Sequence, residues 1–186
     1  QIFTVSSKKL IGGKFVFPNV SVTGTENMMM AATLAKGKTI LKNSACEPEI
    51  ENLAAFLNSL GAKISGAGTP TLEIEGVKTL SGGTWNGMPD RIEAGTFIIL
   101  AAATRSRLKI KNCDPNHLDV LLSLLQNAGV NFEIGNDYVI VMPSKKLKAI
   151  DIKTREYPGF ATDLQAPLTV LLTQVEGVSL VHETIY

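Results

Sequence analysis

The sequence predicts an α/β fold built from a repeated unit of about 70 residues that runs helix, strand, helix, strand, strand. Matching landmarks lie 67 to 71 residues apart: Gly24-Thr25 with Gly95-Thr96, Pro48 with Pro115, and Gly61 with Gly129. Apolar spacing at i, i+3, i+4 and i+7 marks one helix in each copy, and short apolar strands follow it. Such units bury their helices against small mixed sheets.

The first copy opens at Gly24-Thr25 with a helix expected to run to Lys36-Gly37, then a strand over 38–43. Met28, Met29 and Met30 begin a run with no polar face, and a helix of that kind is normally enclosed by others. The Met triplet reads as core packing ahead of a flexible ligand surface. A second helix runs from Glu47-Pro48 to Gly61 on the stripe Ile50, Leu53, Ala54, Leu57 and Leu60. Pro48 suits the first helical position, where a missing N–H has no partner to lose, and Gly61 suits the position after the helix that needs positive φ. Strands are expected over 62–65 and 71–75.

The second copy repeats the plan, with an apolar helix from Gly95-Thr96 to Arg105 and a strand over 108–112. Its second helix runs from Asp114-Pro115 to Gly129 on Leu118, Leu121, Leu122 and Leu125, followed by strands over 130–134 and 138–142. A third copy begins at Asp163, reaches Glu176-Gly177 and continues as a strand over 178–182. That copy is incomplete, so the chain is expected to be a fragment of something longer.

Composition narrows the function classes. With 45% hydrophobic and 19% charged residues and a net charge of +1, the chain resembles an ordinary globular protein. No basic stripe interleaved with aromatics points to nucleic acid. The longest apolar segments, 97–103 and 167–172, fall far short of the roughly 20 residues that span a bilayer, and no secretory signal opens the chain. Cys46 and Cys113 lack CxxC spacing, so neither a disulfide scaffold nor a zinc site is expected, and a reduced, cytoplasmic protein is the simplest reading. His117 and His182 have no spacing for a triad or a metal and read as surface or structural residues.

The stretch 157–167, Tyr-Pro-Gly-Phe-Ala-Thr-Asp-Leu-Gln-Ala-Pro, sets Asp163 just ahead of an apolar helical run. A carboxylate there either caps the helix, worth on the order of 1 kcal/mol, or reaches into a cleft as an acceptor or general base. On the residues alone the cap is the simpler reading. Pro167 biases Ala166 away from helical angles, which puts Asp163 in the loop before the helix. The mouths of the buried helices concentrate N–H donors and positive dipole ends, a natural place for phosphate oxygens.

Five stretches carry a resemblance: 19–27 (Asn-Val-Ser-Val-Thr-Gly-Thr-Glu-Asn), 47–50 (Glu-Pro-Glu-Ile), 61–69 (Gly-Ala-Lys-Ile-Ser-Gly-Ala-Gly-Thr), 89–96 (Pro-Asp-Arg-Ile-Glu-Ala-Gly-Thr) and 158–166 (Pro-Gly-Phe-Ala-Thr-Asp-Leu-Gln-Ala). In order and spacing the chain resembles the UDP-N-acetylglucosamine 1-carboxyvinyltransferase family over essentially all 186 residues. The shikimate-pathway enolpyruvyl transferases share the fold and match less well around Pro89 and Pro158. The resemblance implies two similar domains, each of three inside-out α/β units around buried helices, with substrates in the cleft between them. It implies that residues 1–90 are the last unit of one domain, and that 91–186 are the first unit and part of the second unit of the other.

The implied activity moves the enolpyruvyl group of phosphoenolpyruvate to the 3′-hydroxyl of UDP-N-acetylglucosamine, in the synthesis of peptidoglycan precursors. These two substrates are the implied partners; no nucleic acid, membrane, metal or cofactor is expected. A non-catalytic binding module of the same fold is the alternative. By the resemblance Asp163 matches the carboxylate at the 3′-hydroxyl and is the general base. Asn19, Val20, Ser21 and Val22 match the segment that contacts the nucleotide diphosphate through backbone and hydroxyl groups, a role compatible with a strand end and helix cap. Ile185 matches a contact to the nucleotide sugar. Four positions depart from the family: Asn19 stands where some members carry Lys, Thr23 where some carry Gly, Pro167 for the usual Gln and Tyr186 for the commoner Phe. Arg91 and Glu93 read as a hinge pair or an early-helix charge cluster. The family's reactive Cys loop, its phosphoenolpyruvate-binding Lys-Asn pair and its clamping Arg residues match nothing here. Cys46 and Cys113 are therefore assigned as structural thiols, and the fragment alone is expected to be inactive.

Overall fold

In the computed structural model, which describes residue 2, residue 4 and residues 6–186, the chain divides into two units, Gln1–Met88 and Pro89–Tyr186. The first contains β1 (Lys14–Val16), α1 (Val22–Ala32), β2 (Lys38–Lys42), α2 (Pro48–Ser59), β3 (Lys63–Ser65) and β4 (Thr71–Glu75). Its strands lie in the order β1-β2-β4-β3, with β1 parallel to β2 and the other pairs antiparallel. Leu41 pairs with Leu72 and Thr39 with Ile74, so the period of two puts these four side chains on one face. All four are buried. Met29 and Ala32 from α1 and Ile50, Ala54 and Leu57 from α2 close over that face, joined by Phe17 and Ala45.

The second unit contains α3 (Arg91–Ala103), β5 (Leu108–Lys111), a 3-10 turn (Pro115–Leu118) leading into α4 (Asp119–Asn127), β6 (Asn131–Ile134) and β7 (Tyr138–Met142). There follow β8 (Ile152–Lys153), a second 3-10 turn (Thr162–Leu164), α5 (Gln165–Leu172) and β9 (Val181–His182). Its antiparallel sheet has the order β5-β7-β6, the counterpart of β2-β4-β3. The repeat read from the sequence thus recurs in the pairing. Asn43 and Asn112, just past β2 and β5, both take left-handed angles with φ of 55° and 53°. Ile98, Leu125, Val139, Val141, Leu168 and Leu171 form the centre of this core.

Two strands were not expected. β1 runs parallel to β2 around α1, and β8 runs parallel to β9 around α5. The reason they were missed is physical: β1 is three residues with no buried face and β8 is two, too short for burial to alternate.

Helix boundaries also differ from expectation. α1 opens at Val22 rather than Gly24, because Ser21 Oγ accepts the Gly24 N–H at 3.0 Å. α3 opens at Arg91 rather than Gly95, because the Asp90 carboxylate accepts the N–H groups of Ile92 and Glu93 at 2.8 and 3.0 Å. In both copies a polar cap ahead of the glycine sets the start. Both helices end early, where Thr33 Oγ1 donates to the Met30 carbonyl at 2.6 Å and Thr104 Oγ1 to that of Leu100 at 2.8 Å. Gly61 and Gly129 hold the expected positive φ, 102° and 97°. The apolar helices are covered on one side only among the described residues: Met29 and Ile98 are fully buried, whereas Met30, Phe97 and Leu100 are exposed.

Residues 77–88 have no regular structure and lie along α2. The Ser81 N–H donates to the Leu60 carbonyl at 2.8 Å, and Trp85 Nε1 donates to Asn52 Oδ1 at 3.1 Å beside the Phe56 ring. Their path begins at Gly76, whose N–H bonds the Gly37 carbonyl and where an added Cβ would fall 1.5 Å from the Ala35 carbonyl oxygen. Backbone cannot move aside as a flexible side chain would. Gly76→Ala is therefore expected to lower the stability of the intact protein by about 2 kcal/mol or more, read by urea unfolding.

A carboxylate closes the C-terminal end of the second unit. The buried Thr154 hydroxyl donates to Glu183 Oε1 at 2.7 Å and accepts the Thr184 N–H at 2.8 Å. Glu183 Oε1 also accepts the Ile185 N–H at 2.6 Å, and Oε2 accepts the Thr162 hydroxyl at 2.7 Å. The Thr154 hydroxyl foremost, then the Ile185 N–H, with smaller help from Thr162 and the Tyr186 N–H, holds this carboxyl down to about 2 against partial desolvation. Because that lies below the ordinary 4.5, Glu183 contributes stability that is complete above 4.5 and is lost as pH falls through about 2. The stability gap between wild type and Glu183→Gln, followed by urea unfolding against pH, should be constant above that window and shrink within it.

Candidate functional site

The first unit presents the mouth of α1. Ser21, in extended conformation, spends one lone pair of its hydroxyl on the Gly24 N–H, which leaves the hydroxyl proton to donate outward. The amides of Val22 and Thr23 lie in the first turn, where a helix supplies no partner of its own. Gly24 permits this close cap, since a Cβ there would stand 2.9 Å from Ser21 Oγ. Asn19 is exposed, while Val20 and Val22 pack against the core and offer their backbone. The first turn of α1 has no acidic residue. Deeper along α1, burial and then the charges of Glu49 and Glu47 push the Glu26 carboxyl up. The first turn of α1 thus offers N–H donors with no carboxylate of its own among them, which suits phosphate oxygens.

The second unit carries Asp163 and Ile185. Asp163 is exposed in the 3-10 turn and caps neither that turn nor α5. The capping role open to it in the sequence is unused. Ala166 is helical despite Pro167, a correction to the expected bias: Pro167 is the third residue of α5, where its missing N–H has no partner to lose. Beside the turn lies a cleft of about 260 Å³ whose walls include Arg91, His117, Tyr157, Pro158, Phe160 and Leu164. The Arg91 guanidinium stands 5.5 Å over the Tyr157 ring. His117 Nε2 is 3.5 Å from Asp114 Oδ2, and His182 is exposed on β9. Glu93 is exposed in the first turn of α3.

Neither thiol is set up as a nucleophile. Burial, then Glu47 and Glu51, pushes the Cys46 thiol up, and burial does the same at Cys113. Among the described residues no group of three or more His, Cys, Asp or Glu side chains is placed to hold a metal ion.

Sequence reasoning missed Glu183. Its carboxylate joins Thr162, the neighbour of Asp163, to the N–H of Ile185, so it ties two candidate residues into one cluster. No local motif announces it, because Thr154 and Thr162 lie 29 and 21 residues before it in the chain.

The comparisons with known proteins bear on both units. The UDP-N-acetylglucosamine 1-carboxyvinyltransferase 2 of Prochlorococcus marinus is 51% identical over 96% of this chain and 42% of its own length. The chain thus spans about two fifths of the length of the curated relatives it matches. The enolpyruvyl transferase NikO from Streptomyces tendae superposes with a TM-score of 0.77 at 24% identity, over 88% of this chain and 40% of that one. The EPSP synthase of Acinetobacter baumannii superposes at 0.58 with 17% identity, over 93% and 40%. These two likenesses establish the α/β fold of enolpyruvyl transferases. The family model described as EPSP synthase (3-phosphoshikimate 1-carboxyvinyltransferase) matches residues 2–186, and with its repeated β-α-β architecture the chain belongs to that family.

Proposed function

We propose that the chain is the central part of an enzyme that moves the enolpyruvyl group of phosphoenolpyruvate to the 3′-hydroxyl of UDP-N-acetylglucosamine, in peptidoglycan precursor synthesis in the cytoplasm. The observation that carries this reading is identity of about half to carboxyvinyltransferases of that nucleotide sugar over 96% of the chain. In this reading residues 1–90 are the last unit of one domain, and 91–186 begin the other.

The chemistry is an addition followed by an elimination. The sugar oxygen bonds to the central carbon of phosphoenolpyruvate as its hydroxyl proton leaves and a proton adds to the methylene carbon. Loss of a proton from the methyl group so formed then breaks the bond between that carbon's neighbour, the central carbon, and the phosphate oxygen, releases inorganic phosphate and regenerates the vinyl group. The first step needs a base at the hydroxyl. Asp163 takes that role: its carboxylate is exposed at a turn and uncommitted to capping. Ser21, with the backbone of Asn19, Val20 and Val22, binds the diphosphate at the mouth of α1, where free donors and the helix dipole favour anions. Ile185 packs against the nucleotide sugar. The acid at the vinyl carbon and the cationic clamps on the phosphate come from the remainder of the polypeptide.

In the intact enzyme Asp163→Asn is expected to lower kcat by about 10²- to 10⁴-fold with little change in nucleotide-sugar binding; a kcat near wild type would sink the base role. The isolated 186-residue chain is expected to release no phosphate from the two substrates, measured by a phosphate-release assay. Turnover by that piece would overturn the assignment of essential groups elsewhere.

A further inference from the structure

We propose that Glu183 is a positioning residue for the reaction, fixing the Asp163 turn and the Ile185 backbone against each other through one carboxylate. This inference rests on the reading of Asp163 as the base and goes beyond it by naming what orients that base.

The geometry is specific. Oε2 accepts the hydroxyl of Thr162, the residue before Asp163, at 2.7 Å, and Oε1 accepts the Ile185 N–H at 2.6 Å and the Thr154 hydroxyl at 2.7 Å. Thr154 is fully buried and is itself locked, since its hydroxyl accepts the Thr184 N–H and its carbonyl accepts the Thr184 hydroxyl at 2.5 Å. Through Thr154, whose N–H bonds the His182 carbonyl, the carboxylate is tied to the ends of the paired strands β8 and β9. Asp163 has no capping bond of its own to hold its turn. Leu164, on its other side, is buried and anchors the turn from below. Held between Thr162 and Leu164, the Asp163 side chain has its backbone direction set while its carboxylate stays open. A base must lie within hydrogen-bond reach of the proton it removes, and a displacement of about 1 Å costs on the order of 10²-fold in rate. The carboxylate of Glu183 remains charged throughout the physiological range, which keeps all these acceptor bonds in place.

The test uses the intact enzyme with phosphoenolpyruvate and UDP-N-acetylglucosamine. Thr162→Val removes the donor to Oε2 and keeps the side-chain volume. It is expected to lower kcat at least about tenfold with a thermal midpoint within about 3 °C of wild type. Thr162→Ser, which keeps the hydroxyl, is expected to stay within about threefold of wild type. A wild-type kcat in Thr162→Val overturns the proposal, and so does a loss that serine fails to rescue. In an Asp163→Asn background Thr162→Val should cost little more; an undiminished loss there overturns the proposal, because the hydroxyl would then act without Asp163. Should Thr162→Val fail to fold, Glu183→Gln supplies the same readout with the side-chain shape kept. The two readings fail differently: a kcat near wild type in Asp163→Asn alone defeats the base assignment, whereas a normal Thr162→Val beside a crippled Asp163→Asn defeats only the positioning role.

Discussion

Each unit depends on a central strand held between two antiparallel partners, β4 between β2 and β3 and β7 between β5 and β6. Leu72, Ile74, Val139 and Val141 on those strands are buried completely. Along β4 the alternation fixes which face receives a helix, because a slip of one residue would turn Leu72 and Ile74 to solvent, whereas β7 is buried on both faces, with Ile140 covered as well as Val139 and Val141. The second helix of each copy packs on its sheet: Pro48 opens α2, Pro115 opens the 3-10 turn that leads into α4 where the sequence predicts the helix itself, and a glycine at positive φ follows each helix.

The candidate site residues occupy the ends of elements that this packing holds. Ser21 stands where α1 begins and Asp163 where α5 begins, each following the first strand of a parallel strand-helix-strand crossover. The same topology presents two different groups. At α1 the mouth is capped and presents donors, which suits an anion. At α5 the turn is uncapped and presents an acceptor, which suits a hydroxyl proton. The difference lies in one residue: Ser21 spends its oxygen on its own helix, whereas Asp163 does not.

Much of this was legible in the chain. The strand 71–75 is marked by alternation and the strand 138–142 by a continuous apolar run between turns, and the glycines after α2 and α4 take the positive φ that glycine adopts without a steric penalty. The starts of α1 and α3 were set too late, since Gly24 and Gly95 look like openings in a repeat alignment while the caps Ser21 and Asp90 lie outside it. The short strands β1 and β8 carry no burial alternation and left no signal.

By itself the sequence determined the repeat, the class of fold and the location of Asp163 ahead of an apolar helix. Those follow from periodicity and turn chemistry, which are local properties of the chain. Only the tertiary structure decided that Asp163 does not cap its helix and that Glu183 joins Thr154, Thr162 and Ile185. Hydrogen bonds between residues 21 and 29 positions apart depend on how β8, α5 and β9 come together, and no spacing along the chain encodes that.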